Sequence, residues 1–204
     1  LPTVSTGHCE WDLGDCTGRA VRSWFFLREM TGDQTTFKNV QDDEFKDLLS
    51  VLNPETGLVY VPERSDKEKG TYYYHIWMVF ETFEGLVYWY QTVPEDRQML
   101  KPYILKTIKG IEQYATIRGT DPVWGPYAAW PSDEFINDTP TKLEPFCFIR
   151  SGLLVDSLVK WVELTGDSNA LDLAIRFANG ALGGHNGDND DTPEEEMKVY
   201  SKEA

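Results

Sequence analysis

The sequence is short of basic residues and of long apolar runs. Its 204 residues include 19 Lys and Arg against 34 Asp and Glu, a formal net charge of −15. Nucleic-acid binding needs clustered basic side chains that replace counterions on phosphate, and the densest basic stretch is the short row Lys101, Lys106 and Lys109. No stretch approaches the roughly 20 consecutive apolar residues of a membrane span. We therefore expect neither a nucleic acid nor a membrane as a partner.

Cysteine and histidine are also scarce, with three residues of each. Cys9 and Cys16 could pair if the chain between them turns back, which would leave Cys147 unpaired. The spacings fit no zinc site, so buried free thiols are the simplest interpretation, and we expect no metal and no cofactor. The sequon Asn137-Asp138-Thr139 leaves a secreted or periplasmic location open.

A repeated helical hairpin is the most informative feature that is present. Residues 18–33 (GRAVRSWFFLREMTGD) and 152–167 (GLLVDSLVKWVELTGD) align without gaps at an offset of 134, and both end in Thr-Gly-Asp. Residues 89–91 (WYQ) resemble residues 161–163 (WVE) at an offset of 72. The unit recurs about every 65 to 70 residues, and a fixed period of this kind is typical of repeat architectures.

Each unit is predicted to pair an inner helix with an outer helix. The inner segments are apolar on nearly all sides, as buried helices are; they are 16–31, 72–91 and 146–165. The outer segments are amphipathic, with apolar residues three and four apart; they are 42–52, 95–117 and 168–182. The sequence thus predicts an all-α domain over 1–184, whose three hairpins are about 16–52, 72–117 and 146–182.

The connections between helices differ in length. Inner-to-outer turns are short, whereas the connections back to the next inner helix are long, at 54–71 and 118–145, so all long loops are expected at one end. Alternating inner and outer helices describe an (α/α) toroid, and three hairpins make an incomplete or half toroid. In 185–204 an acidic loop precedes Thr192-Pro193-Glu194-Glu195, a capping and proline pattern that predicts the start of a seventh helix.

Two segments resemble a known family. Residues 11–19 (WDLGDCTGR) and 53–58 (NPETGL), together with the Thr-Gly-Asp turns, resemble the six-hairpin (α/α) glycosidase-type proteins among bacterial carbohydrate-active enzymes. The resemblance covers about residues 10–183. It implies a ring of six hairpins, of which this sequence supplies three, and it carries over no catalytic residue.

In such a ring, the loops that enter the inner helices surround a central cleft. Here these loops combine carboxylates with flat aromatic rings. Aromatic rings stack on sugar faces, and in glycoside hydrolysis one carboxylic acid protonates the leaving oxygen while a second carboxylate activates water or attacks. We predict Asp15 and Glu144 as the catalytic pair. The predicted substrate-binding residues are Trp11, Asp12, Arg19, Tyr73, His75, Trp124 and Trp130.

Structural roles compete with functional ones at these positions. Asp15 stands where a helix N-cap is expected, and Glu144 lies in a Thr-x-x-Glu capping pattern. Arg19 lies in the first turns of an inner helix, where a cation opposes the helix dipole; this cost predicts Asp12 or Asp15 as a partner, or an anionic ligand. Glu81 lies in a helix that is apolar nearly all round, which indicates a buried salt bridge or, alternatively, a protonated general acid.

The leading interpretation is a carbohydrate-active glycoside hydrolase, or a fragment of one. A polysaccharide lyase on the same toroid, with Tyr73 and His75 as base and acid, is one alternative, although a net charge of −15 is unfavourable for a polyanionic substrate. A non-catalytic helical-repeat scaffold is the other. Half a ring would leave apolar inner helices open, so we expect pairing with a second half-toroid or with a missing C-terminal part.

Overall fold

A computed structural model shows a mostly helical protein. It describes residues 13–33, 35, 38–59, 76–115, 117–121, 123, 125–130, 135–136, 139–140 and 152–183. The helices are α1 Leu13–Thr31, α2 Lys38–Ser50, α3 Ile76–Thr92, α4 Arg97–Tyr114, α5 Leu153–Thr165 and α6 Ser168–Gly183. Within these described ranges, no helix combines the length and the apolarity that crossing a bilayer requires. The helical class that the sequence predicts is confirmed.

Each of the six predicted helical segments overlaps one of the observed helices. Among the described boundaries, the largest difference is at the start of α2, which begins at Lys38 rather than at 42, and a 3₁₀ turn over Pro94–Asp96 precedes α4. The predicted starts at 72 and 146 lie outside the described residues, as does the predicted seventh helix. The hydrophobic periodicity therefore located the helices well and their ends less well, as is usual for helix termini.

Two small β-hairpins lie where the sequence predicted only a long loop. Strand β1 (Ile117–Asp121) pairs antiparallel with β2 (Gly125–Ala129), and β3 (Phe135–Ile136) pairs with β4 (Thr139–Pro140). The prediction of a loop was wrong here, because strands this short and this rich in Gly, Ala, Asp and Pro carry little of the usual strand pattern. Outside these hairpins, an isolated antiparallel bridge joins Leu52 and Val59 in the described residues.

The chain divides into two compact units, Leu1–Gly110 and Ile111–Ala204. In the first unit, α1 and α3 run parallel, since three contacts that follow one another along α1 follow one another in the same order along α3, each between residues 62 or 63 positions apart. The contacting pairs are Gly18 with Glu81, Arg22 with Glu84, and Phe26 with Tyr88. The N-terminal ends of α1 and α3 therefore lie at the same end of this unit.

Two glycines allow the backbones of α1 and α3 to come close together. A Cβ atom added at Gly18 would lie 2.2 Å from the carbonyl oxygen of Glu81, and one at Gly85 would lie 3.1 Å from the carbonyl oxygen of Gly18. Any side chain at residue 18 would force the helices apart. This contact fixes the register of the pair.

Helix α2 packs against both α1 and α3 through one aromatic residue. The Phe45 ring stacks with Phe25 of α1 at a centroid distance of 5.4 Å and with Trp89 of α3 at 4.3 Å. Phe45, Leu48 and Leu52 are buried, which is the outer-helix face that the sequence predicts for this segment.

The turn over 53–58, part of the quoted family resemblance, packs on α4. Gly57 has a φ of 71°, and its carbonyl accepts a hydrogen bond from Thr107 Oγ1 at 2.8 Å. A Cβ atom at Gly110 would lie 2.3 Å from the carbonyl oxygen of Thr56. The Asn53 side chain accepts from the backbone N–H of Glu55 at 2.8 Å and holds the turn closed.

The two Thr-Gly-Asp segments form the same corner between an inner and an outer helix. In both, the glycine is left-handed, with φ of 69° at Gly32 and 73° at Gly166. In both, the threonine hydroxyl donates to the carbonyl four residues earlier at 2.7 Å, and the aspartate N–H donates back to that hydroxyl. The sequence similarity at this corner therefore corresponds to one local structure.

In the second unit, α6 packs on α5 and on strand β2. A Cβ atom at Gly180 would lie 2.3 Å from the carbonyl oxygen of Ala128, and Asn179 Nδ2 donates to the carbonyl of Pro126 at 2.7 Å. Trp130, Trp161 and Phe177 are fully buried and belong to the core of this unit.

Candidate functional site

Four charged side chains meet between α1 and α3, and we call them the α1–α3 charge cluster. Arg19 Nε lies 3.0 Å from Glu81 Oε1, and Arg22 Nη2 lies 3.4 Å from Glu81 Oε2. Arg22 Nη1 also pairs with Glu84 Oε2. The Glu81 side chain is only 5% exposed, whereas that of Arg19 is 51% exposed, so the cluster extends from the interior to the surface.

The cluster follows from spacing and register. Arg19 and Arg22 are three residues apart on α1, and Glu81 and Glu84 are three residues apart on α3, which places each pair on one helix face. The parallel register then brings the two faces together. Burying a carboxylate is costly unless it is paired, and here each buried carboxylate has a guanidinium partner.

This geometry decides between the two interpretations of Glu81. Two guanidinium groups stabilise the charged carboxylate, whereas a general acid needs the protonated form. The buried salt bridge is therefore confirmed. It also gives Arg19 a carboxylate partner in Glu81; Asp12 and the side chain of Asp15 lie outside the described residues, so the predicted pairing of Arg19 with one of them stays a prediction.

The predicted catalytic pair is described only in part. Asp15 lies in the first turn of α1, which begins two residues earlier at Leu13, so it is not the residue that precedes the helix. An acidic residue in the first turn is still favoured by the helix dipole. The side chain of Asp15 and the whole of Glu144 lie outside the described residues.

The structure describes two of the seven predicted substrate-binding residues, Arg19 and Trp130. Trp11, Asp12, Tyr73, His75 and Trp124 lie outside the described residues. Arg19 lies in the charge cluster. Trp130 is 0% exposed, which makes its ring part of the core of the second unit; a sugar could stack on it only if that core opened.

Arg22 and Glu84 are the members of the cluster to which the sequence analysis assigned no role. The sequence does contain a pattern that could have indicated the cluster. Arg19 and Arg22 are three residues apart on one predicted inner helix, and Glu81 and Glu84 are three residues apart on the next. Among the described residues, no group of three or more His, Cys, Asp and Glu side chains is arranged to hold a metal ion.

Comparisons with known proteins gave no match. No protein-family model, no curated protein and no solved structure matches this chain. The family resemblance of residues 11–19 and 53–58 therefore stays a prediction, and the function has to be argued from the chain itself.

Proposed function

We propose that the protein is a carbohydrate-active helical-hairpin protein, a glycoside hydrolase or part of one, whose hairpins belong to an (α/α) toroid. The observation that carries the proposal is the parallel packing of α1 and α3 at a constant separation. In a ring of hairpins, every inner helix runs in the same direction, and the outer helices return the chain. The position of α2 across both inner helices agrees with this arrangement.

The sequence repeat supports the same arrangement. The two alignment offsets, 134 and 72, differ by 62, which is the separation between contacting residues of α1 and α3. Equivalent positions of the first and second repeats therefore lie side by side. That relation is typical of repeat proteins, in which each unit contacts its neighbours in the array.

The parallel inner helices also favour one end of the molecule for the site. The N-terminal ends of α1 and α3 lie together, and the residues that precede these two helices in the sequence include Trp11, Asp12, Tyr73 and His75. Aromatic and carboxylate side chains gathered at one end would suit a glycan. We assign the catalytic roles to Asp15 and Glu144, one as acid and the other as base or nucleophile.

The α1–α3 charge cluster has a supporting role in this proposal. Its ion pairs and the close glycine contact hold α1 against α3 just after the first turns. A catalytic constellation must be held within a fraction of an ångström by its scaffold. Arg19, fixed at one nitrogen by Glu81 and half exposed, is the described residue that we assign to substrate contact.

The proposal is tested by hydrolysis of a panel of neutral oligosaccharides, with the release of reducing ends as the readout. We expect Asp15→Asn and Glu144→Gln each to lower kcat/KM by about 10² to 10⁴, the usual contribution of a general acid or base. Asp43→Asn, an exposed change on α2, is the control and leaves turnover unchanged.

Two results would overturn this assignment. If both variants cleave every substrate as fast as the unaltered protein, the catalytic pair is wrong. If the products carry the absorbance of unsaturated uronates, the protein is a lyase rather than a hydrolase.

A further inference from the structure

We propose that Trp77, in the first turn of α3, is a platform on which a neutral pyranose ring stacks. Trp77 is not among the predicted substrate-binding residues, so it adds a position to that set. The proposal rests on the proposed function for the class of ligand, and it names a residue that would hold that ligand. All the residues that support it lie in the first compact unit.

Trp77 is the exception to the burial of α3. Of the 17 residues of this helix, it is the one that is exposed, at 37%. Its neighbours Ile76, Met78 and Val79 are each 1% exposed. A polar side chain would suit a position that only faces water, because a large aromatic side chain gains free energy when it is covered. A ligand that covers the indole would supply that gain.

Trp77 lies on the side of α3 that faces α1. It is four residues before Glu81, and residues at this spacing share a helix face. Glu81 pairs with Arg19 of α1. Contacting residues of α1 and α3 are 62 or 63 positions apart, and the same separation from Trp77 corresponds to residues 14 and 15 of α1. The register therefore puts Trp77 at the level of Asp15, the predicted catalytic residue.

The ring of Trp77 packs against an aromatic neighbour on its own helix. Its centroid lies 6.5 Å from that of Phe80, and the two ring planes make an angle of 71°. This edge-to-face arrangement is one that aromatic pairs prefer. Because the contact limits the rotation of the indole, a ligand that binds to the exposed part would pay little for ordering the side chain.

The charges near Trp77 favour a neutral sugar. The α1–α3 charge cluster, one turn further along α3, contains two guanidinium groups and two carboxylates. Its formal charges cancel, so the cluster offers no excess positive charge to the carboxylate of an acidic sugar. An aromatic ring covers the apolar face of a pyranose, and the half-exposed Arg19 is a hydrogen-bonding group suited to the hydroxyl groups at its edge.

The test is the affinity of the full chain for hexasaccharides of glucose, mannose, galactose and xylose, measured by isothermal titration calorimetry. We expect Trp77→Ala to weaken binding of the preferred hexasaccharide by about tenfold, because the aromatic contact is lost. Phe26→Ala is the matched control and leaves the affinity unchanged. Phe26 is 43% exposed and packs edge-on against Tyr88, so the control removes a similar aromatic pair further along the same two helices.

Two further variants separate the loss of the ring from a loss of structure. Trp77→Leu keeps an apolar side chain beside Phe80 but has no flat surface, whereas Trp77→Phe keeps a smaller ring. We expect Trp77→Leu to bind as weakly as Trp77→Ala, and Trp77→Phe to bind with an intermediate affinity. Far-ultraviolet circular dichroism checks that each variant keeps its helices, and Trp77→Leu replaces Trp77→Ala if the latter does not.

A hexamer of galacturonate tests the preference for a neutral ligand. We expect this polyanion to bind at least about tenfold more weakly than the preferred neutral hexasaccharide, because the balanced cluster cannot compensate its charge. Tighter binding of the galacturonate hexamer than of every neutral hexasaccharide would contradict the assigned ligand class.

The binding data and the hydrolysis data can fail separately. Equal affinities of the folded Trp77→Leu variant and the unaltered protein would overturn the platform and leave the proposed function standing. So would a loss at Phe26→Ala as large as the loss at Trp77→Ala. Binding through Trp77 without any release of reducing ends would support the platform and contradict the hydrolase, and no binding of any hexasaccharide would contradict both.

Discussion

Glu44 on α2 shows how the folded environment acts on one side chain. Burial raises the pKa of Glu44 above its ordinary value, and the nearby Asp47 carboxylate raises it further. The unfolded chain therefore loses this proton at a lower pH than the folded chain. Stabilisation from the protonated carboxyl is complete below the ordinary glutamate pKa of 4.5 and is lost as the pH rises through the folded-state pKa.

We expect Glu44→Gln to raise the free energy of unfolding at neutral pH and to change it little in acid. The substitution removes a charge that the folded environment disfavours, and this benefit exists only where Glu44 would be ionised. Urea unfolding at neutral and at acidic pH measures the difference, with the exposed Glu55→Gln as the control. A stability change of equal size at both pH values would contradict the assignment.

At the residue scale, the sequence predicts the properties that follow from one position and its immediate neighbours along the chain. A charged Glu81 in an apolar helix is costly unless it is paired, so a salt bridge could be predicted, but its partners could not. Arg19 and Arg22 became partners only through the packing of two segments about sixty positions apart in sequence. Trp130, which the sequence analysis predicts as a sugar platform, is a buried side chain in the core of the second unit, and burial of this kind is not visible at an isolated position.

At the scale of helices, the contact between α1 and α3 depends on Gly18. We expect Gly18→Ala to lower the free energy of unfolding by about 1 to 3 kcal/mol or more, as overpacking usually does, because its Cβ would lie 2.2 Å from the Glu81 carbonyl oxygen. The control is Gly32→Ala, which meets no atom within 4 Å but has a φ of 69°; its cost is about 1 to 2 kcal/mol of backbone strain.

The two glycine variants differ in a second way. Separating α1 from α3 should also weaken the stacking of Phe45 on Trp89, which near-ultraviolet circular dichroism reports, whereas a change at the Gly32 corner should leave that signal unaltered. If Gly18→Ala costs no more than Gly32→Ala and leaves the aromatic signal intact, the close packing is wrong.

The α1–α3 charge cluster gives a second prediction for the same contact. Glu81→Gln removes the carboxylate charge that Arg19 and Arg22 share, and breaking a buried ion pair from one side costs about 3 to 5 kcal/mol; because Arg19 is half exposed, we expect the lower end of that range. Asp43→Asn breaks the exposed pair with Lys46 and should cost less than about 1 kcal/mol. Equal costs in urea unfolding would contradict a buried cluster.

For whole elements, the sequence predicted more than it did for single residues. All six helices of the described residues could be predicted, the outer ones from apolar periods of three and four and the inner ones from segments that are apolar on nearly all sides. The hairpin β1–β2 could not, because its five-residue strands contain Gly, Pro, Asp and Ala and are stabilised by packing on α6 through Gly180 and Asn179. Tertiary contact, rather than local preference, decides such strands.

At the scale of the whole molecule, the proposed function depends on the separation of 62 positions between contacting residues of α1 and α3. It matches the difference between the repeat offsets, and it puts the N-terminal ends of both inner helices together. The repeat remains a prediction from the sequence, whereas the parallel direction of α1 and α3 is seen only in their contacts. The central claim is that glycans bind at this end.

Amide chemical-shift mapping of the isotopically labelled chain, titrated with a series of neutral oligosaccharides, tests that claim most directly. We predict that the perturbed amides concentrate in the first turns of α1 and α3, over residues 13–19 and 76–80. Perturbations confined to the opposite ends, at the corners over 31–33 and 92–96, or no perturbation by any oligosaccharide, would contradict it.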